Sequence, residues 1–251
     1  VVILLPDIRI ISIEYGEKRK LGGVTVHYVI SDIHGEYERY LKMLELISFS
    51  DDDVLYVLGD MADRHPGGVN VIKHVKSLKN AVAILGNHEL MMTQVLGIHN
   101  SPFAGNLWSQ NGGDVTKYEL QFECSKEERW DILEWAETLP EFIDVRVGET
   151  DFHLVHGWCG NDANERAWPG PRPKWHSISP LKDKTMIIGH TPIPLLYGHV
   201  REYMSKLESK EEHIKIFHGN GFYDIDCGCA MDHPLRRLAC LRLEDMQEFY
   251  M

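Results

Sequence analysis

Residues 81–89 read AVAILGNHE: five apolar residues, a glycine, and then Asn87, His88 and Glu89 in a row. A buried strand runs straight into three polar side chains. The histidine there has three readings: a satisfied core residue, a metal ligand, or a group that moves a proton. Upstream, VTVHYVI (24–30) reads as a strand, and YERYLKMLELI (37–47) as an amphipathic helix with apolar residues at 40, 41, 44 and 47. VLYVL (54–58) is a second buried strand, GGVNVIKHVKSL (67–78) a second helix, and AVAIL (81–85) a third strand. Strand–helix–strand–helix–strand at this spacing predicts a parallel sheet covered by helices. The near-continuous apolar runs fit burial on both sheet faces.

The second half has a different texture. SKEERWDILEWAETL (125–139) predicts a helix, with Ser125 as N-cap and Glu128 as its capping-box partner. It sits in a helical region around 100–140. Short strand candidates come after it: FIDVRV, DFHLVH, TMIIGH, HIKIFH, FYDIDC and RLACLRL. These predict a second sheet packed on the first, hence an α/β (α+β) fold. REYMSKLESKEEH (201–213) is strongly charged and reads as a solvated excursion with no further role.

The polar residues at the strand ends carry the chemistry. VTVHYVI ends in Ser31-Asp32-Ile33-His34-Gly35, and VLYVL in Gly59-Asp60-Met61-Ala62-Asp63-Arg64. AVAIL ends in Gly86-Asn87-His88-Glu89, DFHLV in His156-Gly157, and TMII in Gly189-His190-Thr191. Taken singly, each is ordinary turn or N-cap chemistry. Five such endings in one chain are not, because ligands bind at the carboxyl ends of strands in α/β sheets. Carboxylate, amide and imidazole donors together suit Mn, Fe or Zn rather than Ca. Asp32, His34, Asp60, Asn87, His156 and His190 exceed what one ion with an open position needs. They match two ions sharing one carboxylate, such as Asp60, and two ions roughly 3.5–4 Å apart can clamp a phosphoryl group.

The totals bound the rest. The chain has 251 residues, 14 histidines and a net charge of −12. An acidic chain argues against a nucleic-acid or anionic-membrane surface, which needs clustered Lys and Arg. No stretch approaches the roughly 20 apolar residues of a membrane span. The opening VVILL, broken by Pro6-Asp7 and without a basic segment before it, does not read as a signal peptide. Five sparse cysteines fit reduced thiols, so the expected location is cytoplasmic. Cys227-x-Cys229 reads as two residues on one face of a strand rather than as a metal pair.

The ordered motifs D-x-H-G, G-D-x-x-D-R, G-N-H-E, H-G and G-H-T resemble the calcineurin-like metallophosphoesterases. More narrowly they resemble the phosphoprotein phosphatases, with their bacterial and phage members and diadenosine tetraphosphatase relatives. The motifs span residues 31–191, and IDCGCA (225–230) resembles the family's late strand-and-turn segment. The resemblance implies one domain over residues 1–251, built as an α/β/β/α sandwich of two mixed sheets flanked by helices. It implies that Asp32 and His34 hold one metal, that Asp60 bridges, and that Asn87, His156 and His190 hold the second. His88 becomes the proton donor to the leaving oxygen, oriented by Asp63, and Arg64 grips the phosphate. Trp168-Pro169-Gly170-Pro171-Arg172 fits the family's second phosphate arginine, making Arg172 the choice and Arg166 its rival.

These roles agree with elementary chemistry. Guanidinium forks match phosphoryl oxygens bidentately, and a positioned acid is worth roughly 10²–10⁴ in rate for a poor leaving group. The implied cofactor is two divalent ions, Mn ahead of Fe or Zn. The implied reaction is hydrolysis of phosphate monoesters by a metal-bridging hydroxide, foremost on phosphoserine or phosphothreonine in proteins. The alternative is a dinucleoside polyphosphate or another small phosphoanhydride, for which Trp158 and Trp168 offer base-stacking surfaces. His65 replaces the glycine usual after D-R, and Gly-Trp comes after His156 in place of two small residues. Both departures bear on the substrate rather than on the chemistry. Glu89, at the start of a helical pattern, is expected only to favour the helix dipole.

Overall fold

The structure, a computed structural model, describes residues 11–12, 25–98, 104–159 and 172–251. The reading of VVILL falls outside them. Strands β1 (Ile11–Ser12) and β2 (His27–Ile30) are followed by helix α1 (Tyr37–Leu46), β3 (Val54–Val57), α2 (Gly68–Ser77) and β4 (Ala81–Ala83). Helices α3 (Asn87–Leu96), α4 (Ala104–Gln110), α5 (Asp114–Phe122) and α6 (Lys126–Glu137) come next. The chain then forms β5 (Phe142–Val147), β6 (Thr150–Val155), β7 (Thr185–Ile188), α7 (Ile193–Leu196) and α8 (Val200–Ser209). It ends with β8 (Phe217–His218), β9 (Phe222–Asp224), β10 (Ala239–Arg242) and β11 (Gln247–Tyr250).

Two mixed sheets result. One has the order β11-β10-β2-β3-β4, the other β1-β5-β6-β7-β9-β8. Strands β2, β3 and β4 are parallel, as the alternation of strands and helices predicts, and α1 and α2 supply the crossovers. The period of two then separates the layers. Tyr28, Ile30, Leu55 and Val57 face the cluster under the helices, with Tyr40, Met43, Ile72 and Leu133. Val29, Val54, Tyr56 and Leu58 face the other way, into an apolar layer shared with Ile143, Leu154 and Ile187 of the second sheet. Each such side chain contributes about 1.5–3 kcal/mol by leaving water. Leu154→Ala, in that layer and fully buried, would cost about 2–5 kcal/mol.

The predicted α6 cap forms as expected: Glu128 N–H donates to Ser125 Oγ at 3.1 Å, and Ser125 N–H donates to Glu128 Oε2 at 2.8 Å. Three expectations are corrected. RLACLRL contributes β10 to the first sheet, antiparallel to β2, and not to the second. Its partner β11 has no counterpart in the sequence reading. Cys227 and Cys229 lie beyond β9 and enter different core clusters, Cys227 between the sheets and Cys229 under the helices. The charged 201–213 stretch is not a bare excursion: through Ser209 it belongs to α8, whose Met204 is buried between the layers. No helix among the described residues is long and apolar enough to cross a membrane.

Candidate dinuclear metal site

The site is built at the carboxyl ends of β2, β3, β4, β6 and β7, and its backbone is strained there. Six of the nine non-glycine residues with positive φ among the described residues are Asp32, His34, Asp60, Asp63, Arg64 and His190. Asp and His tolerate the left-handed region better than most residues. A bulky Arg64 at φ 68° does not, and such conformations cluster where function over-determines the chain. Arg64 is held by its N–H, which donates to Gly112 O at 3.0 Å. A Cβ on Gly112 would sit 3.0–3.1 Å from Arg64 atoms, so a glycine there permits the approach.

Asp60 is the hub. Its Oδ1 accepts the His88 backbone N–H at 3.0 Å. Its Oδ2 lies 3.5 Å from His34 Nε2, 3.3 Å from His156 Nε2 and 3.8 Å from His88 Nε2. Asp32 Oδ2 is committed to the Ser31 hydroxyl at 2.5 Å and the His190 N–H at 2.9 Å. That leaves Oδ1 turned toward His34 Nε2, 3.8 Å away. Asn87 Oδ1 meets His156 Nε2 at 3.0 Å and His190 Nδ1 at 2.8 Å. Two triads of convergent ligand atoms result, His34-Asp60-His88 and Asp60-His156-His190, with Asp60 common to both.

His88 occupies a second network. Its Nδ1 contacts Asp63 Oδ2 at 2.7 Å, and Arg64 Nη2 lies 3.3 Å from its Nε2. Trp108 Nε1–H donates to the same Asp63 oxygen at 2.7 Å, and Asp63 N–H donates to Thr116 Oγ1 at 2.8 Å. Asn87 and His88 are the first two residues of α3 rather than the end of a strand. Their side chains still diverge, Asn87 toward His156 and His190, His88 toward Asp63 and Arg64.

Burial and charge compete throughout. Burial opposes ionisation of Asp60, but His156 and His88 override it and hold its carboxyl well below the usual range. Burial disfavours a His156 cation, yet Asp60 lifts that imidazole to about 10. Burial, His156 and Arg172 together push His190 down to about 3, and burial lowers His34 well below its ordinary value. At His88, burial is outweighed by Asp60 and by the Asp63 hydrogen bond, so its pKa is raised.

The donor set fits divalent cations for a reason visible in the hydrogen bonds. His34 Nδ1 is 3.0 Å from Ala62 O, and His156 Nδ1 is 2.6 Å from Leu58 O. A carbonyl can only accept, so each Nδ1 carries the hydrogen, and in the neutral form that binds a metal each Nε2 presents a lone pair. Those lone pairs face Asp60 Oδ2 and, for His156, Asn87 Oδ1. An electron-rich shell of this kind requires protons or metal cations between its members.

Asp32, His34, Asp60, Asp63, Arg64, Asn87, His88, His156 and His190 all converge in this network. Arg172 is exposed, yet close enough to influence His190. Arg166 and Trp168 lie outside the described residues. Trp158 packs edge-on against Phe222 at 4.9 Å, so one expected stacking surface is engaged in packing. His65, the departure after D-R, lies 3.3 Å from Ala230 O and 3.3 Å from Arg236 Nη1.

The largest correction concerns Glu89. It is fully buried and accepts N–H groups from Asp60 at 2.8 Å, Met61 at 2.8 Å and Gly86 at 3.2 Å. It clamps the loop that carries the hub carboxylate and is more than a helix-dipole charge. Trp108 and Thr116 were likewise not anticipated. Their only sequence signal is a tryptophan and a threonine in a helical region, which does not distinguish them from packing.

The sequence profile of calcineurin-like phosphoesterases matches residues 27–224. A symmetrical bis(5'-nucleosyl)-tetraphosphatase of Salmonella paratyphi B is 25% identical, covering 88% of this chain and 93% of the relative. The same enzyme of Salmonella typhimurium matches equally. Among solved structures, one of a putative diadenosine tetraphosphatase superposes with a TM-score of 0.58 at 15% identity, covering 90% of this chain and 93% of that one. A metallophosphoesterase from Sphaerobacter thermophilus gives a TM-score of 0.51 at 16% identity, covering 91% and 87%. With the two-sheet fold, the shared Asp60 and the family profile in agreement, this chain belongs to the calcineurin-like phosphoesterase family and is a hydrolase of phosphoesters.

Proposed function

We propose that this chain hydrolyses dinucleoside polyphosphates of the diadenosine tetraphosphate type, splitting the polyphosphate into two nucleoside phosphates. The preference shifts here from a phosphoprotein substrate to the alternative weighed from the sequence. The observation that carries it is the match to symmetrical tetraphosphatases over 88% of this chain and 93% of theirs. The reduced-thiol reading, and with it a cytoplasmic location, belongs to this proposal as well.

In this reading two divalent ions, Mn foremost, are held by Asp32 and His34 on one side and Asn87, His156 and His190 on the other, with Asp60 shared. When bound, they supply Lewis acidity toward the phosphoryl oxygens and acidify water at neutral pH. Arg64 binds the phosphoryl group that is attacked, and Arg172 binds a phosphate farther along. His88 Nε2 faces the same space and keeps a proton there, because Asp60 and Asp63 stabilise the imidazolium. Water adds to phosphorus, the anhydride P–O bond breaks, and His88 gives its proton to the departing phosphate oxygen. Asp63, pinned by Trp108 and Thr116, holds the ring in register. His34-Asp60-His88 alone would also make a ligand triad. The Asp63 and Arg64 contacts favour the acid role for His88 and leave the first ion to Asp32.

The test is direct. Mn-loaded protein is assayed on diadenosine tetraphosphate and on a phosphoserine peptide, with products resolved by anion exchange. A higher kcat/KM on the dinucleotide supports the proposal, and a higher value on the peptide overturns it.

A further inference from the structure

A cavity of about 360 Å³ is lined by Ile193, Tyr197, Tyr203, Phe217, His213 and Lys215, among others. We propose that it is a nucleobase subsite, taking a purine of the substrate while its phosphates lie at Asp60 and Arg64. This rests on the dinucleotide reading above and specifies which residues would recognise the nucleoside.

Topology puts the cavity at the correct end of the sheet and at a suitable distance. Ile188, the last residue of β7, pairs with Asp224 of β9, and Asp224 pairs with Phe217 of β8. Phe217 is therefore two strand spacings from the strand that delivers His190, about 10 Å across the sheet. Ile193, another wall residue, is three residues past His190, so their Cα atoms are at most about 11 Å apart. By these routes the wall residues Phe217 and Ile193 lie within about 10–11 Å of the chain that carries His190, a reach of the order of a nucleoside.

The chemistry of the wall fits a base. Tyr197 stacks on Tyr203 with centroids 4.5 Å apart and planes at 16°. Phe217 meets Tyr197 edge-on at 6.1 Å. Tyr197 nevertheless remains 36% exposed, which leaves ring surface for a partner. His213, Lys215 and Glu212, all exposed, add hydrogen-bonding groups to the apolar lining. A volume of this size with aromatic walls and a few polar groups is the usual make-up of a small-ligand pocket, about 300–1,000 Å³. Arg172 lies on the same side: three residues on, Trp175 N–H donates to Leu196 O of α7 at 3.1 Å. The charged 201–213 segment thus acquires a role, since α8 brings Tyr203 to the wall.

The test separates the subsite from the reaction. Hydrolysis of p-nitrophenyl phosphate by the Mn-loaded protein is inhibited with ADP and, in parallel, with pyrophosphate. The wild type is expected to bind ADP more tightly than pyrophosphate. Tyr197→Ala should weaken ADP about 5- to 150-fold, the range for loss of one base-stacking contact, and leave pyrophosphate inhibition and p-nitrophenyl phosphate turnover unchanged. Tyr197→Trp, which keeps an aromatic platform, should retain the ADP preference, and a thermal melt checks that both variants fold. Equal inhibition by ADP and pyrophosphate in the wild type overturns the subsite, as does an unchanged ADP constant in folded Tyr197→Ala. If the wild type prefers ADP yet fails to cleave diadenosine tetraphosphate, the reaction assigned above falls and the subsite stands. If it cleaves the dinucleotide and Tyr197→Ala leaves its KM unchanged, the subsite falls and the reaction stands.

Discussion

Asp63→Asn isolates the proton-donor network with a near-isosteric change. Asp63 is fully buried, and its Oδ2 receives both His88 Nδ1 and Trp108 Nε1 at 2.7 Å. With its oxygen at the Oδ2 position the variant keeps an acceptor for both donors but removes the charge that favours the His88 cation. A hydrogen bond to a charged partner is worth about 1.5–3 kcal/mol, which corresponds to about 10- to 150-fold in rate. The loss should appear only where the leaving oxygen needs a proton. Turnover of an alkyl phosphate should therefore fall by that factor, and turnover of p-nitrophenyl phosphate, whose leaving group departs unaided, by less than about threefold. The pH profile carries the sign. In the proposed role His88 acts protonated and its pKa is raised from its ordinary value, so activity should be lost as pH rises through that raised value. Asp63→Asn should move that alkaline limb to lower pH. The assay is kcat for both substrates across pH, alongside metal content and a thermal melt. An equal loss on both substrates with metal retained, or an unmoved alkaline limb, would refute the proton-donor reasoning.

Neighbouring contacts lead to further expected outcomes. Glu89→Gln leaves one acceptor oxygen for three N–H groups, so chemical denaturation should show a loss of at least about 2 kcal/mol together with weaker metal binding. Gly189→Ala would place a Cβ 2.1 Å from Ser31 Oγ and 2.2 Å from Asp32 Oδ2. Metal affinity, read by titration with Mn, should fall about 10- to 100-fold, as when a supporting contact of a ligand is lost. Arg172→Ala should raise KM for diadenosine tetraphosphate several-fold and change p-nitrophenyl phosphate kinetics little, measured by initial rates. Chelation should lower the melting temperature, and adding Mn should restore it, because ions that bind the folded chain stabilise it by mass action.

Much of the fold and of the candidate metal-ligand set was legible because it is local. The apolar runs alternate with helical patterns, so β2, α1, β3, α2 and β4 appear in order, and the parallel sheet results from their connection lengths. Each strand's polar ending is contiguous with it in sequence, which is why Asp32, His34, Asp60, Asn87, His156 and His190 stood out before any geometry existed. What convergence means chemically was not local. Strand β10 joins β2 across more than 200 residues, a pairing no window of sequence contains. Trp108 reaches Asp63 across 45 positions, and Glu89 reaches back 28 and 29 positions to the Asp60 loop. Helix periodicity could place a glutamate at the start of α3, but only packing turns it inward and gives it three N–H partners. The sequence by itself determined which residues carry the candidate ligand atoms, because strand ends and donor types are encoded one after another. Tertiary structure alone decided which residues hold those ligands in place, because that depends on close approach between segments far apart in the chain.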